Sequence, residues 1–172
     1  AFCDWSSDVC SSDLKMKPRA RHLNAHISAM RRCAALSASD VSMQVDVVAK
    51  AIQAFMYGKA TPEHWASLAD TSNMSETLCQ MRLGGGPEAE RVIRDAQKVL
   101  SDVSERFKSR GSWTLYAAEI DALQWLAQLH KTQLQVCSYG EFEAAYTKTV
   151  NRIKQARAGN VAEGVVVVEG LI

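Results

Sequence analysis

Long apolar runs are missing from this chain of 172 residues. No stretch approaches the roughly 20 uninterrupted apolar residues that a membrane-crossing helix requires, so no membrane role is expected. The chain also lacks a basic region followed by an apolar run and a small-residue cleavage site, and a cytoplasmic protein is expected. Paired cysteines are missing: once Cys3 and Cys10 at the very start are set aside, Cys33, Cys79 and Cys137 are too far apart for a disulfide framework or a paired zinc site. They read as small buried hydrophobes of a reducing compartment.

Recognisable chemistry is scarce as well. Glu119 and Asp121 fall on different faces of one helix and make no acid/base pair. Gly84-Gly85-Gly86-Pro87 lacks the lysine and the preceding strand that give a phosphate-binding loop its meaning, and reads as a hinge. No catalytic residue, cofactor or metal is expected, and the chain does not read as an enzyme. No strand-turn-strand pattern and no repeat occur in the body. What is present is ordinary globular material, 47% hydrophobic and 23% charged, in a length that favours one domain with a genuine core.

The first fourteen residues stand apart. Asp4-Trp5-Ser6-Ser7-Asp8-Val9-Cys10-Ser11-Ser12-Asp13-Leu14 resembles one reading frame of a sequencing adapter, and it has neither helical period nor strand alternation. Residues 1–14 are therefore expected to be an artefact, with the native start near Met16. Without them the net charge is +4 instead of +1. That charge is uneven: residues 15–39 hold Lys15, Lys17, Arg19, Arg21, Arg31 and Arg32 and no acid, whereas residues 40–172 carry a net −2. A basic N-terminal arm over 15–38 is expected to precede a mildly acidic helical domain over 39–158.

Five helices are expected in that domain, forming an all-α bundle with short connections. Val41, Val45, Val48, Ile52 and Phe55 share one face of the first, capped by Ser39 or Asp40 and ended by Gly58. Thr61-Pro62-Glu63 opens the second, which carries Trp65, Leu68, Ala69, Met74, Leu78 and Met81 inward but is ragged at Asp70-Thr71-Ser72-Asn73. Pro87 opens the third and Gly111 ends it, with Val92, Ala96, Val99, Leu100, Val103 and Phe107 inward. The fourth, starting around Ser112–Thr114, shows two stripes. One runs through Tyr116, Ile120, Leu123, Ala127, His130, Leu134 and Cys137, the other through Leu115, Ala122, Leu126, Leu129 and Val136. So wide a face suits a central helix or a subunit contact. Ser138 and Glu141 form a capping-box pattern that starts the fifth, with Phe142, Ala145, Tyr146, Val150 and Ile153 inward and Gly159 closing it. Residues 159–172 are expected to be a flexible tail, with strand pairing of Val165-Val166-Val167-Val168 across a dimer as the alternative.

Two features could carry function. Around the ragged point, Ala69, Asn73 and Met74 sit where a helix-turn-helix wants a small residue, a left-handed residue and an apolar one. Its second helix would present Ser75, Glu76, Gln80 and Arg82 to a major groove. Asn in place of Gly, Ser72 at a normally apolar place and an acidic Glu76 speak against it, and the pattern favours one continuous helix from Pro62 to Leu83. The arm could bind DNA by phosphate contacts, or act only as a solubilising segment. His130 lies seven residues before Cys137 on nearly the same face, yet no third group supports a catalytic or metal reading. A core histidine hydrogen-bonded to a carboxylate or carbonyl is the better expectation.

The segments Glu63-His64-Trp65-Ala66-Ser67-Leu68-Ala69-Asp70, Trp113-Thr114-Leu115-Tyr116-Ala117-Ala118-Glu119, Leu129-His130 and Cys137-Ser138-Tyr139-Gly140-Glu141-Phe142 resemble a family of short, often prophage-associated bacterial proteins. The resemblance spans about residues 15–158. It implies a phage or mobile-element setting and no catalytic residue. The combined expectation is a nucleic-acid-associated regulatory protein, contacting DNA through Lys15, Lys17, Arg19, Arg21, Arg31, Arg32, Ser75, Gln80 and Arg82. The alternative is a helical protein-interaction or assembly module, with a protein partner or a homo-oligomer.

Overall fold

The protein is described by a computed structural model covering residues 18–159 and Val166. The adapter-like segment, Lys15, Lys17, Val165, Val167 and Val168 lie outside the described residues. Six helices are present among those described: α1 Pro18–Cys33, α2 Ala38–Met56, α3 Pro62–Gln80, α4 Pro87–Arg110, α5 Ala117–Val136 and α6 Tyr139–Arg157. The expected all-α bundle is observed, with one helix more than the five read from the sequence.

The additional helix is α1, where a basic arm was expected. Leu23, Ile27 and Met30 are spaced at helical intervals among alanines, Pro18 opens the helix, and Arg31 and Arg32 complement its negative end. Among helices, α1 packs on α6. Its close approach is permitted by Gly140, where a Cβ would come within 3.0 Å of the Arg32 Cβ and carbonyl oxygen. The linkers on either side also meet. The Leu36 N–H donates to the Cys137 carbonyl (3.2 Å) and the Tyr139 N–H to the Ala34 carbonyl (2.8 Å).

Capping sets the other boundaries. Ser37, two residues before the expected position, caps α2 by accepting the Asp40 N–H at 3.1 Å. Gly58 and Gly111 close α2 and α4 in the left-handed conformation. α5 begins at Ala117, later than read, because Glu119 reaches back to the Tyr116 N–H (2.8 Å) and residues 112–116 stay outside the helix. Trp113 in that connection stacks on Phe107 and meets Phe55 edge-on, closing one end of the core. The expected capping box opens α6: Glu141 accepts the Ser138 N–H at 2.8 Å while Ser138 accepts the Glu141 N–H at 3.3 Å.

The core gathers Val48, Ile52 and Phe55 of α2, Trp65 and Leu68 of α3, Ile93, Leu100 and Val103 of α4, and Leu123 and Leu126 of α5. A fully buried leucine at such a place contributes roughly 2–3 kcal/mol. Trp65 anchors the α3–α4 contact by donating its indole N–H to the Leu100 carbonyl at 2.9 Å. Consecutive helices pack together from α2 through α5, but α6 folds onto α3 and α1 onto α6. Tyr116, Val136 and Tyr146, read as inward, are exposed; Tyr116 is the N-cap residue that precedes α5, outside the helix. No helix among the described residues is long and apolar enough to cross a membrane.

Candidate functional site

α3 has α2, α4, α5 and α6 around it, so it is buried on nearly every side. This explains the ragged stripe: Thr71, Ser72, Asn73, Ser75 and Thr77 are all inside. A helix buried all round need not show an apolar face, and its polar side chains must find partners internally. Thr71 and Thr77 donate to the carbonyls of Ser67 and Asn73, one helical turn back. Thr149 of α6 stands 2.8 Å from the Thr77 hydroxyl. Ser75 Oγ lies 2.9 Å from His130 Nδ1. Gln133 donates to the Ser75 carbonyl at 3.1 Å. The Ser72 hydroxyl and the Gln133 carbonyl oxygen are buried without a partner among the described residues.

This arrangement upholds the continuous helix, which ends at Gln80, and overturns the helix-turn-helix alternative. The backbone runs helically through Ser72 and Asn73, and the left-handed non-glycine residue is Arg82, past the end of the helix. Ser75 is fully buried and bound to His130, so it cannot face a groove of DNA. Glu76 is tied to Arg152 at 2.9 Å and to Gln97 at 3.3 Å. Gln80 and Arg82 are exposed, but not on a separate recognition helix. The Gly84–Gly86 connection is a packed turn instead of a hinge. A Cβ on Gly84 would lie 2.9 Å from Gln133, and one on Gly85 3.1 Å from the Cys79 carbonyl oxygen. Of the basic-arm residues, Arg31 and Arg32 lie exposed on the last turn of α1, and Arg32 pairs with Glu143 at 3.8 Å. Arg19 and Arg21 belong to the first turn of the same helix.

His130 is a core histidine, as its setting on an apolar stripe led one to expect, but its partner is the Ser75 hydroxyl instead of a carboxylate or carbonyl. Burial pushes its pKa down to about 4, so it is neutral at physiological pH. The ring forms part of a groove of about 310 Å³ between α2 and α6, floored by Thr71 and Met74 and walled by Val48, Phe142 and Val150. Cys137 instead packs with Met74, Leu78 and Ala145, where burial pushes its thiol up to about 11. No hydrogen bond joins it to His130 among the described residues.

On α1, Ile27 is 48% and Met30 62% exposed. Between α4 and α5 a groove of about 800 Å³ is lined by Ala118, Ala122, Leu129 and Trp125, the last 66% exposed. Its rim carries Glu88, Asp95 and Asp121 against Arg91, which Glu88 already pairs.

The sequence reading weighed Asn73 only as the left-handed residue of a helix-turn-helix and missed its role inside the continuous helix. Asn73 is 1% exposed and accepts the Val166 N–H at 3.0 Å while donating to the Val166 carbonyl at 2.9 Å. The signal was the polar run 71–73 inside an otherwise helical pattern.

The protein is thus an all-α bundle built around a polar central helix, with one outer basic helix. Compared with protein families, curated proteins and solved structures, the chain finds no match in any of the three.

Proposed function

We propose that the protein is a helical assembly module, in which α1 of one copy docks on the α4–α5 groove of another. The observation that carries this reading is the uncovered apolar side of α1, where Ile27 and Met30 meet solvent on a helix whose main packing partner is α6. Exposed apolar side chains clustered on one element mark contact surfaces more often than isolated ones do. The groove supplies the complement: an exposed tryptophan beside small residues, rimmed by three carboxylates and one arginine. Arg31 and Arg32, with no acid on α1, match that rim in sign. Such a contact closes as a two-fold dimer when each copy reciprocates it, and runs on into rings or chains when it does not.

Sedimentation of the full chain tests it. Association is expected at micromolar concentration and low salt. Ile27→Glu with Met30→Glu, or Trp125→Ser alone, is expected to abolish it with the thermal midpoint unchanged. A monomer at every concentration and salt would sink the reading.

A second reading is favoured by the charge of residues 15–39. In the phage or mobile-element setting that the resemblance implies, α1 would bind DNA by phosphate contacts, through Arg31, Arg32 and the basic residues before them. Such binding depends steeply on salt and little on sequence. Salt-titrated binding to a duplex checks it: Arg31→Ala with Arg32→Ala should flatten the salt slope, and no binding at low salt removes it.

A further inference from the structure

We infer that the Asn73 notch is a binding site for the main chain of an extended peptide, and that the segment around Val166 is its ligand, held in cis and releasable. Asn73 uses both atoms of its amide on a single residue, donating to the Val166 carbonyl and accepting the Val166 N–H. A residue turns its own N–H and C=O to the same side only when it is extended, as in the paired positions of an antiparallel ladder. The notch therefore selects extended backbone. It reads no side-chain polarity, since both of its bonds go to main chain. The Val166 side chain, half-buried, packs against the larger core cluster, which favours a branched apolar residue at that point. Val165-Val166-Val167-Val168 is a run of this kind.

The physical case for a ligand site lies in Asn73 itself. It is in the middle of α3, with helical backbone, and 1% exposed. An amide buried there without a partner is strongly unfavourable, and an apolar side chain would pack without that penalty. Among the described residues its side chain bonds to Val166 alone. Ser72 and the Gln133 carbonyl, by contrast, are buried with no partner. The contact joins residues 93 apart in sequence and lies beyond the end of α6. It is independent of α1 and of the α4–α5 groove.

Because the ligand is tethered, it competes with any free peptide at an effective concentration near the millimolar range. Val166→Pro in the full chain removes the donated N–H and frees the notch while leaving Asn73 in place. A fluorescent peptide of residues 160–172 is expected to bind Val166→Pro at least about tenfold more tightly than the unaltered chain. Adding Asn73→Leu, which fills the same space without the amide, is expected to abolish that gain. Equal binding by Val166→Pro and the unaltered chain would overturn the inference, as would undiminished binding after Asn73→Leu. Amide exchange in the unaltered protein supplies a check that needs no variant. The Val166 N–H is expected to exchange at least about tenfold more slowly than an open chain, and exchange at the open-chain rate would equally overturn the inference.

Discussion

Ser75 Oγ and Nδ1 of His130 share a hydrogen bond of 2.9 Å that joins α3 to α5 inside the core. Both residues are buried, and burial has moved the histidine pKa from 6.5 to about 4. The proton therefore prefers the unfolded chain, so the stability present above pH 6.5 is lost progressively as the pH falls from there towards 4. The loss reaches about 3 kcal/mol at the lower limit. Urea midpoints at pH 7.5 and 4.5 are expected to differ more for the unaltered protein than for His130→Gln. Equal pH sensitivity in the two would refute the burial argument.

Gly84 offers a backbone test. Its φ is +62° and a Cβ there meets Gln133 at 2.9 Å, whereas Gly58 at φ +65° faces open space. Gly58→Ala is expected to cost about 1 kcal/mol from conformation alone, and Gly84→Ala about 1–2 kcal/mol more. Chemical denaturation of both variants measures the difference. Equal losses would mean that the Gly84 turn gives way freely.

The Arg106–Glu119 pair ties the end of α4 to the start of α5, with each side chain 13% exposed. Arg106 also bonds the Thr114 carbonyl and lies 4.5 Å over the Tyr116 ring. Removing one member strands the other, and Arg106→Met is expected to cost about 2–4 kcal/mol. The thermal midpoint should fall by a similar amount at low and at high salt, since a buried pair is weakly screened. A drop that vanishes in 1 M salt, where screening acts over about 3 Å, would show the pair to be a surface contact.

Thiol reactivity should separate two cysteines. Cys33 is exposed at the end of α1, while Cys137 is buried with its thiol pushed up to about 11. Alkylation at mildly alkaline pH, followed by peptide mass analysis, is expected to modify Cys33 in the native protein and Cys137 only after unfolding. Equal rates at the two would contradict the placement of the α5–α6 turn.

The elements most legible in the sequence were those whose ends carry local chemistry. Thr61-Pro62, Pro87, Gly111 and Ser138 with Glu141 mark boundaries through bonds made within a few residues, so no tertiary knowledge was needed. α1 was harder to read because its charge dominated the pattern, although Leu23, Ile27 and Met30 carry the helical interval. The polar face of α3 was not legible at all. Its residues look like a solvated or broken stretch until four neighbouring helices are placed around them. Whether a polar side chain faces water or Val166, 93 residues away, is decided by topology that no local window contains. The inward reading of Tyr116, Val136 and Tyr146 failed for the same reason, since the placement of neighbouring helices decides which flank of an apolar stripe stays exposed.

The paired linkers at Ala34–Leu36 and Cys137–Tyr139 act as a stitch across about a hundred residues of chain. Neither crossing strand needs its own neighbour in sequence to stay in place. A nick between Ala34 and Leu36 would divide the stitch, leaving the outer helix held by the Tyr139–Ala34 bond, its close approach to Gly140 and the exposed Arg32–Glu143 pair.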